Sequence, residues 1–518
     1  MRNCALRRPG LLLSLSILCC AFAASSGGCA AIAGLDGEFL VGDPNAGGAT
    51  GTGTATGTAT GSGTSTGSNA GGAAAAGAYG GGQHQGGAGG GQGTGLTDVL
   101  QTGDVLLFYG SGDSDTPRMR TWTAASDSWS APEMTTAASS RIRWVVTPET
   151  LRWPVMLGVL SGETTTQLDL LRHDGSGWIV DWSVTDIDIA NVNRRGFDIA
   201  YEDSSGDVMV VYSNDTGVPQ YRTYESGAWS AEQPVLSDQK AEEVRWVELA
   251  ARPGTDELAL LYNDGAFDLT AVIWDGQGWG SKTVLETNLY ETLWLSFAAA
   301  YETQSGDLVA FWARDESGAL GFIWATRPAG GTFTSPVIAP APLLQPGPAR
   351  LRPEPGTDRM ALSYVEYTCG GQSCDDFIGA VWDGSGWTHA TRIDPEINTP
   401  YHNYPGAIPV DVAWVTGDEL CSVYTELSTG LDWAKWVSGG GAWVLQADEA
   451  TASGLGPRVN VQGLSVEGRS EALFLMSYDN RSLVSYLYGG STWTGPSTSL
   501  ESDLSSKASV PFAAAMKR

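Results

Sequence analysis

An aromatic anchor that recurs about every 52 residues constrains the fold of this chain more than any other feature. Each anchor follows a turn of small residues, as in "GQGW" and "GSGW". The eight anchors are Trp129, Trp178, Trp229, Trp279, Phe333, Trp387, Trp443 and Trp493. Their successive spacings are 49, 51, 50, 54, 54, 56 and 50 residues. A repeat of this length is typical of propeller blades, in which each unit is one small sheet.

Short apolar runs alternate with turns of Gly, Asp and Ser within each repeat, as in "FDIAYEDSSGDVMVVYS". Such runs, rich in Val, Leu, Tyr and Trp, predict strands. We name the strands A to D, with A innermost and D beginning at the anchor aromatic. The stretch "WDGQGW" at residues 274–279 then predicts a C–D hairpin, because Asp bonds its own backbone and Gly accepts a positive φ. We expect the aromatics beside such turns to fill the space between blades.

The number of repeats predicts an all-β, eight-bladed β-propeller with four-stranded blades. Sets of B, C and D strands number eight from Asp104 onward, but only seven A strands lie between them. The stretch "PFAAA" at Pro511 nearly copies "SFAAA" at Ser296, so the C-terminus is predicted to supply the missing A strand of the first blade. That closure leaves no open edge between the chain ends. A seven-bladed propeller with one degenerate repeat is the alternative.

The first 96 residues contain no Trp and differ sharply in composition from the rest. Residues 1–28 resemble a bacterial lipoprotein signal peptide, with a basic start, an apolar stretch and "SSGGC" ending at Cys29. We therefore predict that Cys29 is lipidated and that the protein is exported to the outer membrane or cell surface. Cleavage after "AFA" at residues 21–23, which gives a secreted or periplasmic protein, is the alternative.

Residues 29–96 are rich in Gly, Ala, Thr and Ser and predict a disordered tether, which leaves residues 97–518 for the propeller. The net charge of −29 argues against nucleic acid as a partner and against membrane contact except through the lipid. In an exported chain, "CGGQSC" predicts a disulfide between Cys369 and Cys374. Cys421, inside an apolar run, is predicted to be a small buried hydrophobe. We expect a monomer.

Two hairpin stretches, "YGGSTWTG" at residues 488–495 and "WDGSGWT" at residues 382–388, resemble degenerate Asp-boxes of sialidase-like β-propellers. The rhythm of aromatic, turn and Trp also resembles that of bacterial propeller lectins, which bind sugars between blades. Asp-boxes are structural in the sialidase-like family, so this resemblance implies the fold and not catalysis.

Catalytic machinery of the familiar kinds is not evident in the sequence. Arg143, Arg195 and Arg245 each lie near the start of an A strand and could face the central channel, either as a substrate clamp or as charged residues in a wet channel. The four His are scattered, and no nucleophile elbow occurs. We expect no catalysis and no cofactor. A glycoside-acting hydrolase or lyase is the alternative.

Binding chemistry is better represented, in the segments predicted to lie on one face of the propeller. The predicted D–A loops contain the candidate ligand-binding residues Asp186, Asp188, Tyr290, Tyr401, His402 and Tyr404. The predicted B–C turns repeatedly contain Asp or Glu. Carboxylates beside aromatic rings could bind a sugar, and the acidic turns could also bind Ca²⁺, although Asp is equally a common turn residue. The sequence thus favours recognition of a glycan or an extracellular protein.

Overall fold

Eight antiparallel sheets make up the part of the chain that the structure, a computed structural model, describes. The description covers residues 96–518 except 139, 163–165, 186, 188–193, 215, 238–242, 290–294, 315–319, 344–345, 368–374, 398–406, 417–418, 425–430, 447–457, 479–480 and 506–507. Helix in this part is limited to the single turns α1 (Leu96–Val99) and a 3-10 turn at Ala124–Ser126. No helix in the described ranges has the length and apolar character needed to cross a membrane.

Each sheet is one blade of a propeller, and blades 1 and 3 have a short additional outer strand. Blade 1 comprises β1 (Val105–Tyr109), β2 (Arg118–Thr123), β3 (Ser128–Trp129), β4 (Glu133–Met134) and the C-terminal β34 (Phe512–Met516). Blade 2 comprises β5 (Ile142–Val146), β6 (Val155–Ser161), β7 (Gln167–His173) and β8 (Trp178–Thr185). Blade 3 comprises β9 (Phe197–Tyr201), β10 (Val208–Tyr212), β11 (Gln220–Glu225), β12 (Ala228–Trp229) and β13 (Gln233–Pro234). Blade 4 comprises β14 (Val244–Ala251), β15 (Leu258–Asp264), β16 (Leu269–Trp274) and β17 (Thr283–Glu286).

The second half of the ring repeats the four-stranded plan. Blade 5 comprises β18 (Phe297–Tyr301), β19 (Leu308–Ala313), β20 (Leu320–Arg327) and β21 (Val337–Leu343). Blade 6 comprises β22 (Pro346–Pro353), β23 (Met360–Tyr367), β24 (Asp375–Trp382) and β25 (Trp387–Ile397). Blade 7 comprises β26 (Val410–Thr416), β27 (Glu419–Tyr424), β28 (Trp433–Val437) and β29 (Ala442–Leu445). Blade 8 comprises β30 (Arg458–Ser465), β31 (Ala472–Tyr478), β32 (Leu483–Tyr488) and β33 (Trp493–Thr494). The eight-bladed prediction is confirmed.

The C-terminal strand closes the first blade, as the sequence predicts. β34 pairs antiparallel with β1, and it is the innermost strand of that sheet. Its neighbours hold it on both sides. On the blade 8 side, the amide of Gln462 exchanges hydrogen bonds of 2.9 and 3.0 Å with the backbone of Ala514. On the blade 2 side, Thr150 forms a parallel bridge with Met516. The ring is therefore continuous through β34.

The C–D hairpins have the geometry that their Asp-Gly sequences require. In blade 4, Oδ1 of Asp275 accepts backbone N–H bonds from Gln277 and Gly278, both at 2.9 Å. Gly276 between them has φ = 91°, in the left-handed region that favours glycine. Trp274 and Trp279 then face each other in an antiparallel bridge. The equivalent hairpins at Asp174 and Asp383 make the same backbone bonds.

Anchor aromatics lie between neighbouring blades, as predicted. The indole N–H of Trp129 in blade 1 donates to Oγ of Ser485 in blade 8 at 2.9 Å. Trp443 of blade 7 packs so closely on blade 6 that a Cβ at Gly379 would lie 2.6 Å from its ring. Because each anchor contacts the blade before it, the anchors hold the ring together laterally.

Two D strands begin later than the sequence analysis suggests. β17 starts at Thr283 and β21 at Val337, not at the anchors Trp279 and Phe333. The residue after each anchor still makes one ladder-like bond to the C strand, from Gly280 in blade 4 and from Thr334 in blade 5. Regular strand pairing begins again only at Thr283 and Val337. In these two blades the anchor therefore packs between blades and does not begin a strand.

Candidate functional site

The side chains that the sequence nominates for ligand binding lie outside the described residues. This applies to Asp186, Asp188, Tyr290, Tyr401, His402 and Tyr404. It also applies to Cys29 and to the predicted disulfide pair, Cys369 and Cys374. These assignments remain predictions. Cys421 is described, and it is a buried free thiol as predicted, with a pKa raised by burial.

Acidic residues of the B–C turns serve local structure wherever the structure describes them. Asp113 forms an ion pair of 2.8 Å with Arg141. Asp264 accepts backbone bonds from Ala266 at 3.0 Å and Asp268 at 3.2 Å within its own turn. No group of His, Cys, Asp and Glu among the described residues has a geometry suited to a metal ion. The other acids of this set, such as Glu163, Asp215 and Asp479, lie outside the description, so Ca²⁺ binding there stays a prediction.

The three arginines near the A strands do not converge on one point. Arg143 donates to the carbonyl of Gly162 at 2.8 Å. Arg245 lies over the ring of Phe267, with its guanidinium carbon 5.0 Å from the ring centre. Only Arg195 of the three lines the central cavity, so these residues do not form a three-arginine clamp.

A cavity of about 270 Å³ lies among the inner strands, and its wall comprises residues of seven blades and Ile408, which precedes β26 of blade 7. Ala298, Ala299 and Ala300 of β18 supply a smooth apolar side. The rest of the wall contains apolar, polar and charged side chains. Its charged members are Glu149, Arg152, Arg195, Asp198, Asp203, Glu248, Arg350, Arg352 and Arg518. The cavity wall therefore combines an apolar surface with side chains of both positive and negative charge.

Carboxylates on the inner strands join one blade to the next. Asp198 of β9 accepts the backbone N–H of Leu249 in blade 4 at 2.9 Å. Asp411 of β26 likewise accepts from Gly463 in blade 8 at 3.0 Å. Asp411 also takes two bonds from the guanidinium of Arg352 in blade 6, at 3.0 and 2.6 Å. Because their bonding capacity is used within the ring, these carboxylates are structural.

Glu248 and Arg350 are bonded much less completely. Oε1 of Glu248 accepts the backbone N–H of Ala299 at 3.1 Å, but its Oε2 has no hydrogen-bond partner in the described structure. Burial raises the pKa of Glu248 to about 7, against the opposing effect of the Arg195 cation. Nε of Arg350 also has no partner among the described groups, and burial lowers the pKa of this guanidinium. Unsatisfied polar groups of this kind are uncommon in folded proteins.

Sequence reasoning missed these channel residues because it considered only the ends of the A strands. Glu248, Arg350 and Asp411 are the second residues of "VELAA", "ARLRP" and "VDVAW", where each charged residue has an apolar residue on either side. Successive side chains of a strand point to opposite faces, so the alternation is the signal that these charges face the channel.

A second cavity, of about 240 Å³, lies between blades 5 and 6. Its wall comprises Glu302, Asp307, Trp324, Thr326, Thr334, Ser335, Val337, Trp382, Gly384 and Ser385. We call it the 5/6 cleft. The two tryptophan rings meet edge to face, with centroids 4.9 Å apart. Trp382 is buried, whereas Trp324 is only partly covered.

Two carboxylates, the buried Glu302 and the partly buried Asp307, organise the back of the 5/6 cleft. Glu302 accepts the indole N–H of Trp382 and the hydroxyl of Ser305, and burial raises its pKa. Asp307 accepts the backbone N–H of Ala329 at 2.8 Å. These bonds fix the tryptophan and the turn on either side, so the cleft is a rigid feature of the blade junction.

The same construction occurs between blades 3 and 4. Glu202 accepts the indole N–H of Trp274 at 2.7 Å and the hydroxyl of Ser205 at 3.0 Å. Tyr221 occupies the position of Trp324, with its ring centroid 5.7 Å from that of Trp274. In both junctions, a glutamate follows the A strand of one blade. This glutamate accepts the indole N–H of the tryptophan that ends the C strand of the next blade.

The central cavity reaches the A–B turns, and the 5/6 cleft reaches both the A–B and the C–D turns, on the face opposite the predicted B–C and D–A loops. The 5/6 cleft, for example, includes Asp307 from an A–B turn and Gly384 from a C–D turn. Most of the predicted binding face lies in segments outside the description. The described sites therefore add a second face to the one that the sequence analysis considered.

Several solved β-propellers have a fold similar to that of this chain. The BP39L lectin from Burkholderia pseudomallei is 15% identical, with 68% of this chain and 98% of that chain covered and a TM-score of 0.45. The β-propeller domain of the Trilobed protease from Pyrococcus furiosus is 9% identical, with 70% and 98% covered and a TM-score of 0.39. Dihydro-heme d1 dehydrogenase NirN is 12% identical, with 79% and 77% covered and a TM-score of 0.47. No protein-family model matches the chain, and no curated protein matches it. Similarities this distant show only that the folds are alike.

Proposed function

We propose that this propeller is a carbohydrate-recognition module and that the 5/6 cleft holds one sugar residue. The observation that carries the proposal is the partly covered ring of Trp324 beside a carboxylate and several hydroxyls in one rigid cleft. An aromatic ring stacks on the C–H face of a sugar, while polar groups at the edge of the ring bond its hydroxyls. Aromatic walls with a few fixed polar groups are typical of small-molecule sites.

Groups in the 5/6 cleft retain bonding capacity for such a ligand. Asp307 uses one oxygen for Ala329, and a carboxylate has about four acceptor positions in all. Thr334 accepts the backbone N–H of Thr326 at 3.1 Å, and its hydroxyl also lies 3.4 Å from that of Thr326, so this pair can still offer one hydroxyl proton to a ligand. Ser335 at the rim is exposed. Donors and acceptors thus surround the ring of Trp324, as a polyhydroxylated ligand requires.

The experiment is a glycan-array screen of residues 97–518, run with and without Ca²⁺, followed by titration of the strongest glycan. Trp324→Ala should weaken that binding by about fivefold to 150-fold, because loss of an aromatic stacking partner removes about 1–3 kcal/mol. Trp324→Phe, which keeps a ring, should retain most of it. Equal melting temperatures of the variants would show that the blade junction is intact.

Three results would overturn the proposal. The first is an array without any binder, and the second is full binding by Trp324→Ala. The third is turnover of a chromogenic glycoside by the wild-type protein, which would favour the glycoside-acting enzyme. Pull-down of a protein with no dependence on its glycans would favour protein recognition instead.

We further propose that a lipidated Cys29 displays the propeller on the outer membrane or cell surface. A tether of residues 29–96 has an r.m.s. reach of roughly 45 Å if it is flexible, which would hold the binding face clear of the anchor. The net charge of −29 supports a neutral polyol as a partner over nucleic acid, because a polyanion is repelled by an acidic surface.

A further inference from the structure

Arg350 is an unusual residue of the central cavity because its charge is left without a close partner. It lies on β22, is largely buried and lines the cavity wall. Among the described residues its guanidinium takes part in neither a hydrogen bond nor an ion pair, and its Nε is fully enclosed. A buried cation without a partner is expensive to keep in a folded protein.

Arg352, two residues further along the same strand, shows how the fold satisfies a guanidinium in this channel. It bonds both carboxylate oxygens of Asp411 and a third carboxylate oxygen, on Glu149. Arg195 is likewise paired, with Asp198 at 3.2 Å. Arg350 therefore departs from the pattern of these two neighbours in the cavity.

Glu248 lines the same cavity as Arg350, but the two do not form an ion pair. Each nonetheless shifts the pKa of the other, so they share one electrostatic environment. Oε2 of Glu248 has no partner either. The cavity wall thus contains a planar hydrogen-bond donor, the guanidinium of Arg350, and at a separate point a free acceptor, Oε2 of Glu248.

We propose that the central cavity binds a small carboxylate-bearing ligand, such as a sugar acid, through a bidentate contact with Arg350. The guanidinium fork matches the geometry of a carboxylate. Glu248 would then bond a hydroxyl of the same ligand, and the alanine side of the cavity would contact its C–H surface. A volume of about 270 Å³ suits one monosaccharide-sized molecule. This site lies on the propeller axis and does not depend on the 5/6 cleft.

A singly charged carboxylate fits this wall better than a phosphate does. The lining includes the carboxylates of Glu149, Asp198, Asp203 and Glu248 alongside the arginines. The two signs of charge in the wall are nearly balanced, whereas burial strips much more hydration from a dianion than from a monoanion, and both gain the same two bonds to the Arg350 fork. The cavity is therefore expected to discriminate between the two anions.

The test is calorimetric titration of the propeller, residues 97–518, with D-glucuronate, D-glucose and inorganic phosphate. Glucuronate should bind, and glucose, which lacks the carboxylate, should bind at least tenfold more weakly, as should phosphate. Arg350→Gln should weaken glucuronate binding roughly tenfold to a hundredfold, since hydrogen bonds to charged groups contribute in that range. Arg350→Lys should recover part of it.

Arg245→Gln is the matched control, because Arg245 is also on an inner strand but lies outside the cavity. It should bind glucuronate like the wild type. Melting curves of all variants exclude misfolding as the cause of a loss. The proposal is overturned if glucuronate fails to bind, if glucose or phosphate binds equally well, or if Arg350→Gln leaves the affinity unchanged. Loss of array binding by Trp324→Ala with glucuronate binding intact would separate this site from the cleft.

Discussion

Phe512 lies directly opposite Tyr109 in the antiparallel ladder that joins the C-terminal strand to the first blade. Both side chains are buried, and they belong to one hydrophobic cluster that also contains Leu475 of blade 8. Residues from the two ends of the propeller sequence thus pack in one core. Stability of the ring therefore depends on a contact that no single repeat contains.

Deleting residues 508–518 should consequently lower the melting temperature strongly or cause precipitation. The deletion removes β34 and exposes the ladder of β1, and an exposed strand edge promotes aggregation. Phe512→Ala alone should cost about 3–5 kcal/mol, as for other buried Phe side chains. Deletion of residues 47–90, in the predicted tether, is the control and should leave the melting temperature nearly unchanged. A truncated protein as stable as the wild type would contradict the closure of the ring through β34.

The propeller could be predicted from sequence because its signals are local and repeated. The turn at Asp275 and the aromatics around it recur with the same spacing in other blades, so weak individual patterns reinforce one another. Even the closing strand was recognisable, because "PFAAA" copies the inner strand of blade 5. The late start of β17 was missed, because the anchor Trp279 packs on Tyr221 of the neighbouring blade instead of opening a strand.

The candidate sites could not be predicted in the same way, since they depend on contacts between blades. Glu302 and Trp382 are 80 residues apart, and only the assembled ring places one beside the other. The unpaired state of Arg350 is likewise invisible in a sequence, because it depends on Asp411 being taken by Arg352. The loop residues that composition did suggest, such as Tyr401 and His402, fall in segments outside the description.

The predicted bond between Cys369 and Cys374 can be tested directly. Closure of so short a loop gains about 2 kcal/mol on the chain-entropy model, so we expect the pair to stiffen its loop more than to support the fold. Mass spectrometry of the unreduced peptide should show a mass two hydrogens below that of the dithiol. Two alkylatable thiols at these positions would refute the bond. Cys421 is the internal control, since it should remain a free thiol and react only after unfolding.

Lipidation of Cys29 predicts a change in partitioning. In the native host, Cys29→Ala should move the protein from the detergent phase to the aqueous fraction, because acyl chains contribute about 0.8 kcal/mol of membrane binding per buried CH₂. Cys4→Ala, in the predicted signal peptide, is a matched control that should still partition into detergent. Unchanged partitioning of Cys29→Ala would favour cleavage after "AFA" instead.

Glu248 should make the stability of the propeller fall as pH rises. Its pKa is about 7 in the folded state and 4.5 in the reference state, so between these values the folded protein binds more protons than the unfolded chain. Stability is then lost as pH increases from about 4.5 to 7, by up to about 3 kcal/mol at about 1.4 kcal/mol per pKa unit. Glu248→Gln keeps an acceptor for the N–H of Ala299 but cannot ionise. As the pH increases through this range, the melting temperature of the variant should rise relative to that of the wild type. A difference between the two melting temperatures that does not change with pH would contradict the role of Glu248.

Gly379 offers the sharpest test of packing between blades. A Cβ at this position would lie 2.6 Å from both Cδ1 of Ile393 and the indole of Trp443 in the next blade. Gly379→Ala should therefore destabilise the protein by about 1–3 kcal/mol, as overpacking of a rigid core does. Gly386→Ala, in the hairpin of the same blade, meets nothing within 4 Å and is the matched control. Its backbone is outside the positive-φ region, so it should be neutral or stabilising by up to about 1 kcal/mol. The denaturation midpoint should thus fall for Gly379→Ala and not for Gly386→Ala. Equal curves for the two variants would show that Trp443 does not lie against blade 6.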